Sequence, residues 1–228
     1  MVEEISFVFL NNICYHGGVM KKLIFEFYTR PNGHNEFVEF YKSLPQKDKE
    51  KLLATISMIQ EHGLLTAQHM EWVKKLNSDI FEIRSKVSSN IQRALYFHAV
   101  DNRYIITHGF TKKLKKHPLM KLKRHKSSKK NLKGNRKMKT IKFNDFLNEQ
   151  LSDNSFNEGY QAEKVILESA LAVANARSKA GLTQRQLSEL SHVPQSTIAR
   201  IERGHNTSIE TMSKLAVALK QELKISIG

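Results

Sequence analysis

One segment near the carboxy terminus, residues 182–204, constrains the fold of this chain more than any other. Thr183 and Gln186 have the spacing of a capping box, which opens a short helix. Pro194 suits the start of a second helix, because the amide hydrogen that it lacks has no helical partner there. Gly204 is placed to end that helix. The apolar residues between these signals have the spacing that packs two short helices around a tight turn: Leu187, Leu190, Val193, Ile198 and Ile201. We therefore predict a helix-turn-helix.

The sequence on either side extends this motif into an all-α domain. Residues 162–180 carry a long apolar stripe that predicts a helix, and Gly181 ends it. Ser208 is an N-cap for a further helix at 209–219. Alternating apolar residues then predict a short terminal strand: Leu223, Ile225 and Ile227.

The second helix of the motif keeps one polar face, formed by Gln195, Ser196, Thr197 and Arg200. Amide, hydroxyl and guanidinium groups on a helix can read base edges in the major groove of DNA. Gln184 and the amides of the first helical turn are placed to hold a phosphate. We expect these five residues to bind operator DNA.

This segment resembles the Xre/Cro-like repressor family, and within it the HigA-type antitoxins. The resemblance implies a homodimer bound to a palindromic operator. His192 stands where many members have a glycine with positive φ, a conformation that histidine tolerates better than most residues.

The first half of the chain predicts an α+β domain. Alternation at Leu23, Phe25 and Phe27 predicts a strand that opens at Met20. Helical spacing follows at 35–43 and at 45–62, where Gly63 is a stop signal. The period then changes to two, which predicts three antiparallel strands: 80–85, 91–98 and 104–110.

The chain divides into four parts by pattern and charge: a leader at 1–19, a domain at 20–113, a basic linker at 114–137, and a second domain at 138–228. We expect translation to start naturally at Met20. Residues 1–137 hold 26 Lys and Arg against 12 Asp and Glu, a net charge of +14, whereas residues 138–228 hold 11 against 10, or +1. A polycationic first half favours an anionic partner such as nucleic acid.

Phe-Glu-Ile-Arg at 81–84 and His-Gly-Phe-Thr-Lys-Lys at 108–113 resemble the HigB branch of the RelE/ParE toxin family. The resemblance implies an mRNA endonuclease that acts on translating ribosomes. Because the sequence has no carboxylate cluster of the usual spacing, we expect activity without a metal, and we expect no cofactor. The resemblance assigns Arg84, Arg93 and Lys112 to stabilising charge on the phosphate, and His108 to proton transfer. Alternatively, the two arginines pair with Glu82 or Glu26 or bind ribosomal RNA, and His108 is an ordinary histidine beside a turn. Gln92 stands where many relatives have tyrosine.

These features predict a cytoplasmic chain. No apolar run reaches the roughly 18 residues that a membrane span needs, and the single cysteine, Cys14, excludes an internal disulfide. We expect a fused toxin–antitoxin pair whose domains contact each other in cis or in trans. Two alternatives remain open: a repressor with an inactive toxin-like domain, and a ParE-like inhibitor of gyrase.

Overall fold

A computed structural model describes residues 23–112, here called the amino-terminal region, and residues 139–224, the carboxy-terminal region. The predicted leader and linker lie outside the described residues. The amino-terminal region comprises β1 (Ile24–Thr29), α1 (Glu36–Lys42), α2 (Gln46–His69), β2 (Val73–Lys75), β3 (Phe81–Val87), β4 (Asn90–His98) and β5 (Arg103–Thr111). The carboxy-terminal region comprises β6 (Lys139–Lys142), α3 (Phe143–Leu151), α4 (Asn154–Lys179), α5 (Gln184–Ser191), α6 (Gln195–Glu202) and α7 (Ile209–Ala218).

The predicted fold class is confirmed: an α+β region precedes a helical region with a helix-turn-helix. Among the described residues, the strands form one sheet in the order β2-β3-β4-β5-β1-β6. Strand β1 runs parallel to β5, and all other neighbouring strands are antiparallel. The sequence predicted four of these strands. It missed β2 and β6, which have only three and four residues and no room for a clear period.

Helix α2 does not end at Gly63 as predicted. Gly63 is non-helical, with φ of 80° and ψ of 168°, but helical turns resume after it and continue to His69. The glycine therefore produces a kink. Its left-handed φ is accessible because glycine has no side chain to clash with the backbone.

The two regions share one hydrophobic core. Strand β6 pairs with β1 along its whole length, from Lys139 opposite Thr29 to Lys142 opposite Glu26. Directly after it, α3 buries Phe143, Phe146 and Leu147. The rings of Phe143 and Phe146 pack edge-on against Phe27 of β1, with centroid separations of 6.2 and 5.3 Å. Burial of such aromatic side chains contributes roughly 1.5–3 kcal/mol each.

Helix α4 extends this contact along α2. Phe156, Tyr160, Leu167, Ala170, Leu171 and Ala174 of α4 are buried in the same core cluster as the apolar face of α2. At Gly159 the two helices approach so closely that a Cβ atom would lie 2.2 Å from the Glu50 carboxylate carbon. The expected contact between the two domains thus occurs within one chain.

The helix-turn-helix forms a second core cluster, built on Val173 of α4 with residues of α5, α6 and α7. The predicted capping box of Thr183 and Gln186 is present. His192 has a φ of 54°, which allows the tight turn that the sequence called for. Ser208 caps α7 as predicted, with its hydroxyl accepting from the Thr211 amide at 3.2 Å. Leu223 lies in no strand, and the other two residues of the predicted terminal strand lie outside the described part.

A substitution at Gly204 measures how tightly the helix-turn-helix packs against α4. Gly204 has a φ of 77°, and a Cβ atom there would lie 2.6 Å from Leu167 Cδ2. We expect Gly204→Ala to destabilise the chain by about 1–3 kcal/mol, through backbone strain and overpacking together. Urea unfolding followed by circular dichroism measures the loss.

Gly181→Ala is the matched control for this substitution. Gly181 also has a positive φ, 68°, but a Cβ atom there would meet nothing within 4 Å. It should show the backbone cost alone, and therefore a smaller loss. Equal losses in the two variants would mean that the Leu167 contact contributes nothing.

Candidate functional site

The predicted recognition surface of the helix-turn-helix is the outer face of α6. Gln195, Ser196 and Arg200 are exposed there, and Thr197 is half-buried. Ile198 and Ile201 on the opposite face are buried in the second core cluster. The structure thus places the four predicted base-reading residues on one helix, with their polar groups available to a major groove.

Gln184 occupies a different environment from these four residues. Its side-chain amide donates to the Glu202 carboxylate at 2.8 Å, so it is engaged within the protein. Glu202 is buried and also accepts from Arg177 of α4 through two hydrogen bonds of 2.5 and 2.9 Å. Together these bonds hold both helices of the motif against α4.

Sequence reasoning missed the Glu202–Arg177 pair. The available signal was a glutamate directly after the buried Ile201, on the inward side of a short helix. A buried carboxylate needs a partner of opposite charge, and Arg177 lies in the last turn of the preceding long helix.

By strand register, the predicted catalytic residues lie on one face of the sheet. Residues that pair across antiparallel strands have their side chains on the same face. Arg84 pairs with Arg93, which pairs with Phe110, and the row beside it joins Glu82, Leu95 and His108. Lys112 continues the next row, where its amide donates to the Ile91 carbonyl at 2.7 Å. Register therefore brings Arg84, Arg93, His108 and Lys112 to one surface.

Glu82 binds both strand arginines. Its Oε1 atom accepts from Arg84 Nε at 3.0 Å and lies 3.2 Å from Arg93 Nε. The side chain of Arg93 is nearly buried and that of Arg84 is partly exposed. Burial lowers the pKa of the Arg93 guanidinium, while the Glu82 charge opposes that shift. Of the two partners considered from sequence, Glu82 is the one used.

The second acid, Glu26, binds a different arginine. Its carboxylate accepts two hydrogen bonds from Arg103, of 2.8 and 2.7 Å. These bonds are the main reason that the pKa of Glu26 lies below its ordinary value. The pair joins β1 to β5 and takes no part in the predicted catalytic surface.

His108 and Lys112 differ sharply in exposure. His108 is buried, and its Nδ1 atom lies 3.0 Å from the Thr107 hydroxyl. It also lines a groove of about 700 Å³ together with residues of the β1–α1 connection and α1, among them Arg30, His34 and Phe40. Lys112 is exposed at the end of β5.

The hydrogen bonds of Gln92 explain why a glutamine stands at this position. Gln92 is 1% exposed and points toward α2. Its amide donates to Asp48 at 3.0 Å and its carbonyl accepts from Thr111 at 2.8 Å. A tyrosine has neither the amide donor nor the carbonyl acceptor that these two hydrogen bonds need. Glutamine in place of the family's tyrosine is therefore explained by its hydrogen bonds to Asp48 and Thr111.

The described residues lack the features of two other kinds of site. Within residues 23–112 and 139–224, no cluster of three or more His, Cys, Asp or Glu residues has the arrangement of a metal site. None of the helices in those ranges has the length and hydropathy to cross a membrane.

Comparisons with known proteins match the two halves of the chain to different families. Residues 39–130 match the family described as phage derived protein Gp49-like (DUF891), and residues 173–224 match the helix-turn-helix family. An uncharacterized HTH-type transcriptional regulator of Haemophilus influenzae is 40% identical over 79 residues, which cover 32% of this chain and 81% of that protein. The chain is thus a toxin–antitoxin-like fusion with a DNA-binding domain, and it belongs to the helix-turn-helix family of transcriptional regulators.

Proposed function

We propose that this chain is a type II toxin–antitoxin fusion of the HigB and HigA kinds. Its amino-terminal region is a ribosome-dependent mRNA endonuclease. Its carboxy-terminal region neutralises that activity and represses its own operator as a homodimer. The observation that carries the proposal is the shared sheet and core, in which β6, α3 and α4 cover the amino-terminal region.

The contact has the character of a neutralising interface. Strand β6 takes up the hydrogen-bonding edge of β1, a common mode of peptide recognition by sheets. Helix α3 then inserts Phe146 between Phe27 and Tyr41, at centroid separations of 5.3 and 5.2 Å. A covering segment tied to its own target acts at a high effective concentration.

The shared sheet face supports the proposed chemistry. In such a reaction the substrate's own 2′-hydroxyl attacks the adjacent phosphate, and the protein orients it and stabilises negative charge. Arg84 and Arg93 already present two guanidinium groups to one carboxylate, Glu82. An RNA phosphate is an alternative anion for the same pair. Lys112 adds a third charge, and His108 is the candidate for proton transfer.

A second candidate function is favoured by the burial of the Arg93 pair. Arg93 and Glu82 are each 8% exposed, the burial expected of a structural ion pair. If that pair only stabilises the sheet, the chain is a transcriptional repressor whose toxin-like region is catalytically inactive. Both candidate functions include DNA binding. DNA binding and endonuclease activity are therefore tested in separate experiments.

The DNA-binding function is tested with Arg200→Ala. We expect binding to a labelled duplex from immediately upstream of the coding sequence to weaken by about 1–3 kcal/mol, with relaxed preference at one base position. Lys214→Ala, an exposed lysine paired with Glu210 on α7, is the control and should bind as the wild type does. Unchanged affinity of the Arg200 variant would contradict docking through α6.

Endonuclease activity is tested by loosening the covering segment in the full chain. Phe146→Asp places an unpaired charge in an apolar site, which costs several kcal/mol and should detach α3. We expect the wild type to leave mRNA on programmed ribosomes intact and the variant to cleave it. Adding Lys112→Met, a change at an exposed residue, should reduce that cleavage.

The two candidate functions give different outcomes here. Circular dichroism first establishes that the Phe146 variant keeps its fold. Absence of cleavage by a folded variant would leave the repressor with an inactive toxin-like region as the function.

Unfolding measurements give the contribution of the Glu82–Arg93 pair to the free energy of unfolding. Glu82→Gln leaves a buried guanidinium with a neutral partner, and we expect a loss of about 1.5–3 kcal/mol. Glu82→Gln combined with Arg93→Met should cost less, because no buried charge then lacks its partner. Glu61→Gln, which removes the more exposed pair with Lys164, should cost at most about 1 kcal/mol. Similar losses for Glu82→Gln and Glu61→Gln would show that the buried pair is not structural.

A further inference from the structure

The hairpin between β3 and β4 is bound by the same part of α2 that contacts the end of α6, although the proposed function gives it no role. Asp48 in the first turn of α2 holds the hairpin: it accepts from Asn90 at 2.9 Å and from Gln92 at 3.0 Å. Lys51, one turn further along α2, donates to the carbonyl of Gly204 at 2.6 Å. The same part of α2 therefore fixes both the hairpin and the end of α6.

The Lys51 contact is buried and specific. Its side chain is only 8% exposed, and its ammonium group lies 3.0 Å from the Glu163 carboxylate of α4. Gly204 itself is packed against Leu167. A buried ammonium group held by two oxygen atoms fixes the position of the elements that supply them, so α2, α4 and the end of α6 have a defined arrangement.

Positive charge accumulates where these elements meet. Lys86 on the hairpin and Arg200 on α6 are exposed, and no ion pair joins either of them to a carboxylate among the described residues. Arg203 is exposed and pairs with Glu71 at 2.9 Å. His205, directly after Gly204, has a half-buried imidazole.

The pKa of His205 is lowered first by burial and then by the charges of Lys51, Lys86, Arg200 and Arg203. Two of these cations belong to the amino-terminal region and two belong to the helix-turn-helix. The cluster forms in a chain whose residues 138–228 hold 11 basic and 10 acidic residues. The helix-turn-helix therefore gains positive surface from its neighbour.

We propose that Lys86 extends the DNA-binding surface, by contacting a backbone phosphate beside the bases that α6 reads. The proposal rests on the proposed DNA binding through α6. A single exposed ammonium group is a point charge that suits a phosphate, whereas base reading needs fixed donor and acceptor pairs. The toxin-like region would then take part directly in operator binding.

The test uses the full chain with Lys86→Gln and the labelled duplex from upstream of the coding sequence. Affinity is measured between about 50 and 200 mM salt, where each lost phosphate contact reduces the slope of log affinity against log salt by about 0.9. The wild type should bind more tightly than the variant at low salt. That advantage should shrink about threefold across this salt range.

Lys139→Gln is the matched control, with the same change of charge and an exposed position. Lys139 lies on β6, four strand positions from β3 in the sheet, which corresponds to roughly 20 Å. Its salt slope should equal that of the wild type. An effect of equal size in both lysine variants would show a general effect of net charge and would overturn the proposal.

The remaining outcomes are also decisive. A wild-type slope and affinity for Lys86→Gln, with binding still lost in Arg200→Ala, would overturn this inference and leave DNA binding through α6 intact. Tighter binding by Lys86→Gln would overturn it as well. Failure of the wild type to bind the duplex would overturn both the proposed autorepression and the contact from Lys86.

Discussion

Strand β1 lies inside the sheet and pairs with a strand on each side. The arrangement of the described chain depends on which segment supplies the second of these strands. On one side β5 pairs with β1 in parallel. On the other, the partner is a four-residue strand from the carboxy-terminal region. An unpaired strand edge exposes amides and carbonyls to water and to other chains. With β6 paired to that edge, α3 and α4 pack on the same core, and the end of α6 contacts α2.

The features predicted from the sequence are those with local signals. Residues 182–204 contain the capping box, the proline, the glycine stop and the apolar spacing. Each of these signals determines the structure of the residues next to it. The long strands β3, β4 and β5 have enough residues for a clear alternation. The face that collects the candidate catalytic residues follows from that alternation once the strand register is known.

The features missed depend on partners that are distant in the sequence. Strand β6 becomes a strand through pairing with β1, more than a hundred residues earlier. The sequence neighbours of Gln184 gave no sign of its hydrogen bond to Glu202, and its contact with a phosphate stays a prediction. The choice of Glu82 by Arg93 likewise needed the register between β3 and β4. In each case the physical cause is a tertiary contact that overrides local preference.

The order of β1 and β6 along the chain has a consequence for synthesis. About 30 residues separate the end of β5 from the end of β6, so at about 5–20 residues per second the ribosome needs only roughly 2–6 s to supply the missing strand. An antitoxin made as a separate chain must find its toxin by diffusion, at a rate set by concentration. Here the interval during which the sheet has an open edge is set by the length of the connecting segment and the rate of translation, and it does not depend on the concentration of a partner chain.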